Sequence, residues 1–273
     1  MNRNFMYGLL GQSEGGGWGG YDLWALSYSG NSLSTSGISS GVTALEMNPA
    51  TDRLFFGDVV NTRIHEYSVS PSDTLSGSMT SENDLYLWAF RNPLTFQFRD
   101  NGNRLYILRN ATRTIYEFDC PTAYSTTWMT YTRQTSITGI AGNFVGFYLS
   151  NDGDTLITIG SDELVRKFTI STTWNISTYT LTSEDFDLSS DMTFWGQIEM
   201  HPDENVFYVM AEEDTILEYT MSTALDIENM SKTSNELDVT GEDVFPRQWK
   251  WNSTGTKIFM IGDQNNNIYE YNT

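Results

Sequence analysis

Carboxylates are the most abundant ionisable groups in this chain, and two of them hold matching places in a repeat. Glu46 and Glu199 each stand one residue before a methionine, Met47 and Met200. Glycoside hydrolysis needs two carboxyl groups about 5–10 Å apart. The corresponding residues elsewhere in the repeat are Gln97, Tyr148 and Lys250, so only two of five places are acidic. The pair also adjoins an outer turn, which the sequence sets away from the mouth of a central pocket. A propeller glycosidase is therefore the third reading. The two histidines, His65 and His201, fall at different repeat positions and are not expected to converge on a metal or a nucleophile. The single cysteine, Cys120, excludes an intramolecular disulfide and has no histidine beside it in a motif. Asn151-Asp152-Gly153-Asp154 lacks the spacing and closing glutamate of a calcium loop and reads as a hairpin turn. These residues lead to the expectation of no catalytic residue, no metal, no cofactor and no enzymatic activity.

A second constellation suits binding. Trp88, Phe144, Trp195 and Trp249 stand near the starts of the innermost strands, with Arg91 and Arg247 close in sequence. Aromatic and guanidinium groups on one rim are the chemistry of a sugar-binding or protein-binding surface. The same aromatics also suit packing between repeat units. Five residues before the repeat's reference position the units read Val42, Pro93, Phe144, Trp195 and Pro246, too varied for a lectin with five equal sites.

These residues are positioned by a repeat of 51 residues, marked by Met47, Phe98, Leu149, Met200 and Trp251. Each precedes a polar turn and then an apolar run such as Leu54-Phe55-Phe56 or Ile258-Phe259-Met260. A second polar turn follows, and a third run ends in Tyr67, Phe118, Phe168, Tyr219 or Tyr271. Repeats of this length with several short strands predict a β-propeller. The second strand is almost wholly apolar, as befits a strand covered on both faces. The third alternates, as in Ile268-Tyr269-Glu270-Tyr271, which predicts one packed and one wet face.

The last unit stops after its third strand. Leu26–Leu33 aligns without gaps on Met230–Leu237, so the N-terminal segment is expected to close the ring as the outer strand of the last blade. Closure removes two unpaired sheet edges. The expectation is an all-β, five-bladed propeller over 26–273, with six blades as the runner-up. Residues 1–25 contain Gly15-Gly16-Gly17-Trp18-Gly19-Gly20 and are read as a docking arm, with Phe5, Tyr7 and Trp18 as its anchors.

The chain has 273 residues, 35 acidic and 15 basic, for a net charge of −20. That balance disfavours nucleic acid and anionic membrane surfaces. Its apolar start is too short for a signal peptide or a membrane span, and no stretch reaches the length a spanning helix needs.

Two phrases carry a resemblance. Phe168–Ser177 and Tyr219–Ile227 resemble Y-T-L-S-T-x-W-D-[IV]-S, and Ser253–Gly262 resembles F-S-x-D-G-T-K-M-Y-V-x-G. They are similar to the repeats of propeller-type proteins encoded by tailed bacteriophages, especially aquatic ones, and by some bacteria, over roughly residues 26–273. Ser68-Val69-Ser70-Pro71 and Asp119-Cys120-Pro121 depart from the pattern. The resemblance implies a virion or surface-associated protein, often linked to the tail, and the expectation is a structural or interaction protein of the virion. Its implied partners are other virion proteins of the tail, neck or capsid. The alternative is a module that binds a host surface glycan or protein. The resemblance carries no catalytic residue.

Overall fold

The computed structural model describes residues 21–87, 95–138, 142–191, 197–211 and 214–273. Twenty strands form five four-stranded antiparallel sheets. In chain order the first strand is β1 (Ser27–Ser34). Blade 1 is β2 (Val42–Met47), β3 (Arg53–Asp58), β4 (Arg63–Ser70) and β5 (Ser78–Tyr86). Blade 2 is β6 (Thr95–Arg99), β7 (Arg104–Arg109), β8 (Thr114–Asp119) and β9 (Thr130–Ser136). Blade 3 is β10 (Phe144–Leu149), β11 (Thr155–Gly160), β12 (Leu164–Ile170) and β13 (Tyr179–Asp187). Blade 4 is β14 (Ile198–Met200), β15 (Val206–Ala211), β16 (Thr215–Thr220) and β17 (Ser231–Asp238). Blade 5 is β18 (Pro246–Trp251), β19 (Lys257–Gly262), β20 (Asn267–Asn272) and, as its outer strand, β1. This is the five-bladed, N-terminally closed propeller the repeat predicts.

The closing strand repeats blade 4 residue for residue. Tyr28 faces Tyr271 as Lys232 faces Tyr219, and Leu33 faces Ile268 as Leu237 faces Ile216. The segment before it takes part as well. Tyr21 sits over Gly255, where an added Cβ would come within 2.3 Å of the ring, and its hydroxyl donates to Ser253 O at 3.1 Å. Tyr124 covers Gly102 and Trp174 covers Gly153 in the same way. All three glycines have positive φ, which an L side chain adopts only with strain. Residues 21–25 thus serve blade 5 as the links before the outer strands serve blades 2 and 3. Phe5, Tyr7 and Trp18 lie outside the described residues.

The third strands differ from their expectation. β20 and β8 are buried along almost their whole length, and Glu270 is 1% exposed. The alternating strand is the fourth, as in β13. The reason is the carboxylate. Glu270 accepts from the Leu75 amide of blade 1 at 2.7 Å, and Glu66 accepts from the Thr126 amide of blade 2 at 2.7 Å. A polar residue at this place clasps the neighbouring blade, and a buried acceptor so satisfied is tolerated. A register shift in the outer strand recurs beside this position in all five blades.

The five cores lie in the seams between blades. Met47, Phe98, Leu149, Met200 and Trp251 each belong to a different one. Their neighbours two residues earlier (Leu45, Phe96, Phe147, Ile198 and Trp249) join the same seams. Side chains alternate along a strand, so the residue between each pair turns towards the axis.

Candidate functional site

That alternation sends Glu46, Gln97, Tyr148, Glu199 and Lys250 to the axis at one end of the channel. The Lys250 ammonium donates to Glu199 Oε2 at 2.8 Å and lies 3.4 Å from Glu46 Oε1. Two carboxylates therefore share one cation. Glu46 Oε1 also accepts from the Met47 amide at 3.0 Å, whereas no donor among the described residues reaches the buried Glu46 Oε2. Burial raises the Glu46 pKa; Lys250 offsets part of that rise and Glu199 adds to it. Burial opposes the charge on Lys250, but Glu199 and Glu46 outweigh it and hold the ammonium above its ordinary pKa.

The innermost strands are sheet edges, and their free backbone groups need partners. Gln97 supplies two, donating to Phe147 O at 2.9 Å and accepting from the Leu149 amide at 3.1 Å. Gln197 donates to Val145 O, and Gln248 accepts from the Leu45 amide and the Thr95 hydroxyl. Arg99, two residues beyond Gln97, donates through Nε to Leu149 O at 2.6 Å and through Nη1 to Phe98 O at 3.0 Å. Its guanidinium lies over the Tyr148 ring, 4.7 Å from the centroid. Burial pushes the Tyr148 hydroxyl well above its ordinary pKa, so it stays protonated and donates to Glu204 at 3.0 Å. Burial likewise raises Glu204, which also accepts from the Asn151 amide at 2.6 Å.

Together these groups line a cavity of about 220 Å³ with Tyr21, Tyr124, Asn48, Asn252 and Trp251 in its wall. Trp251 Nε1 is buried and finds no acceptor among the described residues. The lining residues thus include a carboxyl group and an indole that each hold a buried polar atom without a partner, beside a paired lysine and several aromatic faces. A group able to donate and accept at once, such as a sugar hydroxyl, suits that inventory.

Glu46 and Glu199 are therefore not remote from the pocket, as their place beside an outer turn suggested. They are its floor, because that turn closes one end of the axial channel. The aromatic rim fares differently. Phe144 and Trp249 are fully buried in seams and form no rim. Trp249 follows the seam parity directly. Phe144 is turned there by a register shift between Phe144 and Gly146. Arg247 is half-buried and pairs with Asp263 at 2.5 Å. Trp88, Arg91 and Trp195 lie outside the described residues. The histidines keep separate company. His65 sits between Asp84 at 2.7 Å and Asp58 at 3.2 Å, while His201 packs edge-on to Tyr21 at 4.5 Å.

Lys250, Arg99, Tyr148, Asn151, Glu204 and Tyr21 escaped the sequence reading as site residues. The signal for the first and third was present: seam residues at the reference position force their predecessors to the axis. Arg99 had no such signal, because its role comes from the neighbouring blade's carbonyl.

No protein-family model matches the chain, and no curated protein matches it. Solved structures do. The β-propeller domain of Myceliophteria thermophila Cps50 (Swd1) superposes with a TM-score of 0.51 at 10% identity, over 91% of this chain and 99% of that one. A functionally unknown protein from Desulfotomaculum acetoxidans gives 0.50 at 15% identity, over 82% of this chain and 66% of that one. A putative 6-phosphogluconolactonase from Bacteroides uniformis gives 0.45 at 14%, over 72% and 55%. The chain spans less than two thirds of the length of the last two. At these identities the likeness shows the fold alone. The expectation of no enzymatic activity is nevertheless corrected, because the matched propellers include two described as putative 6-phosphogluconolactonases. What the chain shares with the Cps50 domain is the β-propeller fold.

Proposed function

We propose that this propeller is a recognition module that binds a polar, polyhydroxylated ligand of the glycan class in its axial pocket. The observation that carries the reading is the convergence of Glu46, Lys250 and Glu199 on the axis with Glu46 Oε2 left without a donor. A buried acceptor without a partner costs about 1–3 kcal/mol, and a ligand hydroxyl removes that cost. Pre-paired charges add rigidity, so little ordering accompanies binding. The phage-type repeat phrases favour a virion as the setting, with the glycan on a host surface. Docking to neighbouring virion proteins through residues 1–20 is compatible with it, since Tyr21 fixes the point where that segment joins the propeller.

A glycan array probed with the purified protein tests the ligand, with Glu46→Gln and Glu199→Gln as comparisons. Retention of a glycan by the parent protein and its loss in both variants is expected. No retention, or retention indifferent to both substitutions, overturns the reading. The setting is tested by immunolabelling purified particles, where absence of the propeller from the particle would remove the virion assignment.

A further inference from the structure

We propose that the axial pocket is the inner end of a longer site, which takes a neutral oligosaccharide of three or more rings across Arg99 into the adjoining cleft walled by Tyr124 of blade 2 and Trp174 of blade 3. The inference rests on the glycan reading of the axial pocket and extends it to ligand length, charge and path.

A second cavity of about 580 Å³ adjoins the first. Pro49, Phe98, Arg99, Tyr124, Asn151 and Pro202 line both, so the two spaces meet across these residues. The axial cavity alone is smaller than the roughly 300–1,000 Å³ usual for a small-molecule site, whereas the joined space falls within that range. The second cavity adds Trp174, Asp100 and Asn101.

The aromatic walls are fixed rather than adaptable. Tyr124 and Trp174 lie on Gly102 and Gly153, where an added Cβ would approach the rings to 2.3 and 2.4 Å. Rings held flat on backbone offer broad apolar faces at little entropic cost, which suits the C–H faces of a sugar chain. Blades 1 and 4 carry Asp73 and Leu225 at the corresponding place, each with its amide bonded to the turn of its own blade. Blade 5 carries Tyr21 at this place, in the wall of the axial pocket, and the platforms of blades 2 and 3 line the second cavity.

Arg99 stands between the two spaces. Nε and Nη1 hold carbonyls and the guanidinium face lies over Tyr148. Among the described residues no carboxylate pairs with it and Nη2 has no acceptor, which leaves a fixed donor for a ligand oxygen. Asn101, Asn151 and Asp100 supply donors and acceptors along the cleft.

The ligand is neutral because the surroundings are not. The chain carries a net charge of −20, and Asp100 and Asp203 line the cleft. An acidic chain would meet repulsion that grows as salt is removed, whereas a neutral one binds with little dependence on salt.

The test is an array of neutral and acidic glycans of one to six rings, followed by calorimetry on the best neutral series. The parent protein should bind the three-ring member at least about tenfold more tightly than the single ring, with affinity unchanged between low and high salt. Trp174→Leu, which borrows the blade 4 residue and lies outside the axial pocket, should erase the gain from length and leave single-ring binding intact. Its melting temperature confirms folding. Equal affinity for one and three rings would sink the longer site while the axial reading stands. Gain from length that survives this substitution would move the path elsewhere, and binding confined to acidic glycans would refute neutrality. No glycan bound at all would remove both readings.

Discussion

The two ends of the axial channel use the same five strands for different purposes. At the end where the strands finish, Glu46, Glu199 and Lys250 turn inward and form a charged floor. Towards the end where they start, Phe144 turns sideways into a seam, as Trp249 does directly before Lys250, and both hold blades together. The difference is one of parity. A residue between two seam residues must face the axis, and a register shift such as that at Phe144 reverses the rule locally. Regular parity sends polar groups to the axis and their aromatic neighbours to the seams, and the shift at Phe144 adds an aromatic residue to a seam near a strand start.

The largest effect should come from removing what both ends depend on. Deletion of residues 21–34 takes away the outer strand of blade 5 and the Tyr21 clamp. Loss of a cooperative unfolding transition by calorimetry is expected, and a parent-like transition would refute closure by this segment.

Next come two substitutions of similar cost and different meaning. Lys250→Met leaves Glu46 and Glu199 facing each other unneutralised and should destabilise by about 3–5 kcal/mol. Adding Glu46→Gln and Glu199→Gln should restore most of that. Trp249→Ala opens a seam cavity and should also cost about 3–5 kcal/mol. Denaturant unfolding reads both. Only the Lys250 change should abolish glycan binding by protein that remains folded, and equal binding loss in the two variants would erase the distinction between axial and seam residues.

A buried carboxylate away from both ends serves as a control. Burial raises Glu117 to about 7, with Arg133 opposing. Its folded pKa exceeds the ordinary carboxylate value, so its stabilising share is complete below that value and is lost as pH rises through about 7. Melting temperature should therefore fall from pH 5 to 8 by an amount that shrinks in Glu117→Gln, a difference on the order of 1–2 kcal/mol. Identical profiles would contradict the shift.

The smallest effect on stability belongs to Glu46→Gln, within about 1 kcal/mol, because a neutral amide relieves a costly charge while losing part of the Lys250 pairing. Its effect on binding should be at least tenfold by calorimetry. Unchanged affinity would detach Glu46 Oε2 from the ligand.

Much of the fold was legible in the sequence. The 51-residue spacing of Met47, Phe98, Leu149, Met200 and Trp251 carried the blades, and the match of Leu26–Leu33 to Met230–Leu237 carried the closure. Burial of the third strands was not legible, since Glu270 looks solvent-facing until the Leu75 amide of the next blade is seen beside it. The site was half legible. Glu46, Glu199 and Lys250 stood in one aligned column, but which way the column faced needed the seam partners. Arg99, Tyr124 and Trp174 depend on contacts across blades or on glycine turns, which the one-dimensional pattern does not display.

The central claim is that the ligand sits on the charged floor. A crystal structure of the propeller soaked with its best array glycan tests this most directly. The account predicts a sugar ring in the axial pocket with a hydroxyl on Glu46 Oε2 and the chain running past Arg99 towards Trp174. A glycan seated instead at the opposite end, beside Arg247, would contradict it.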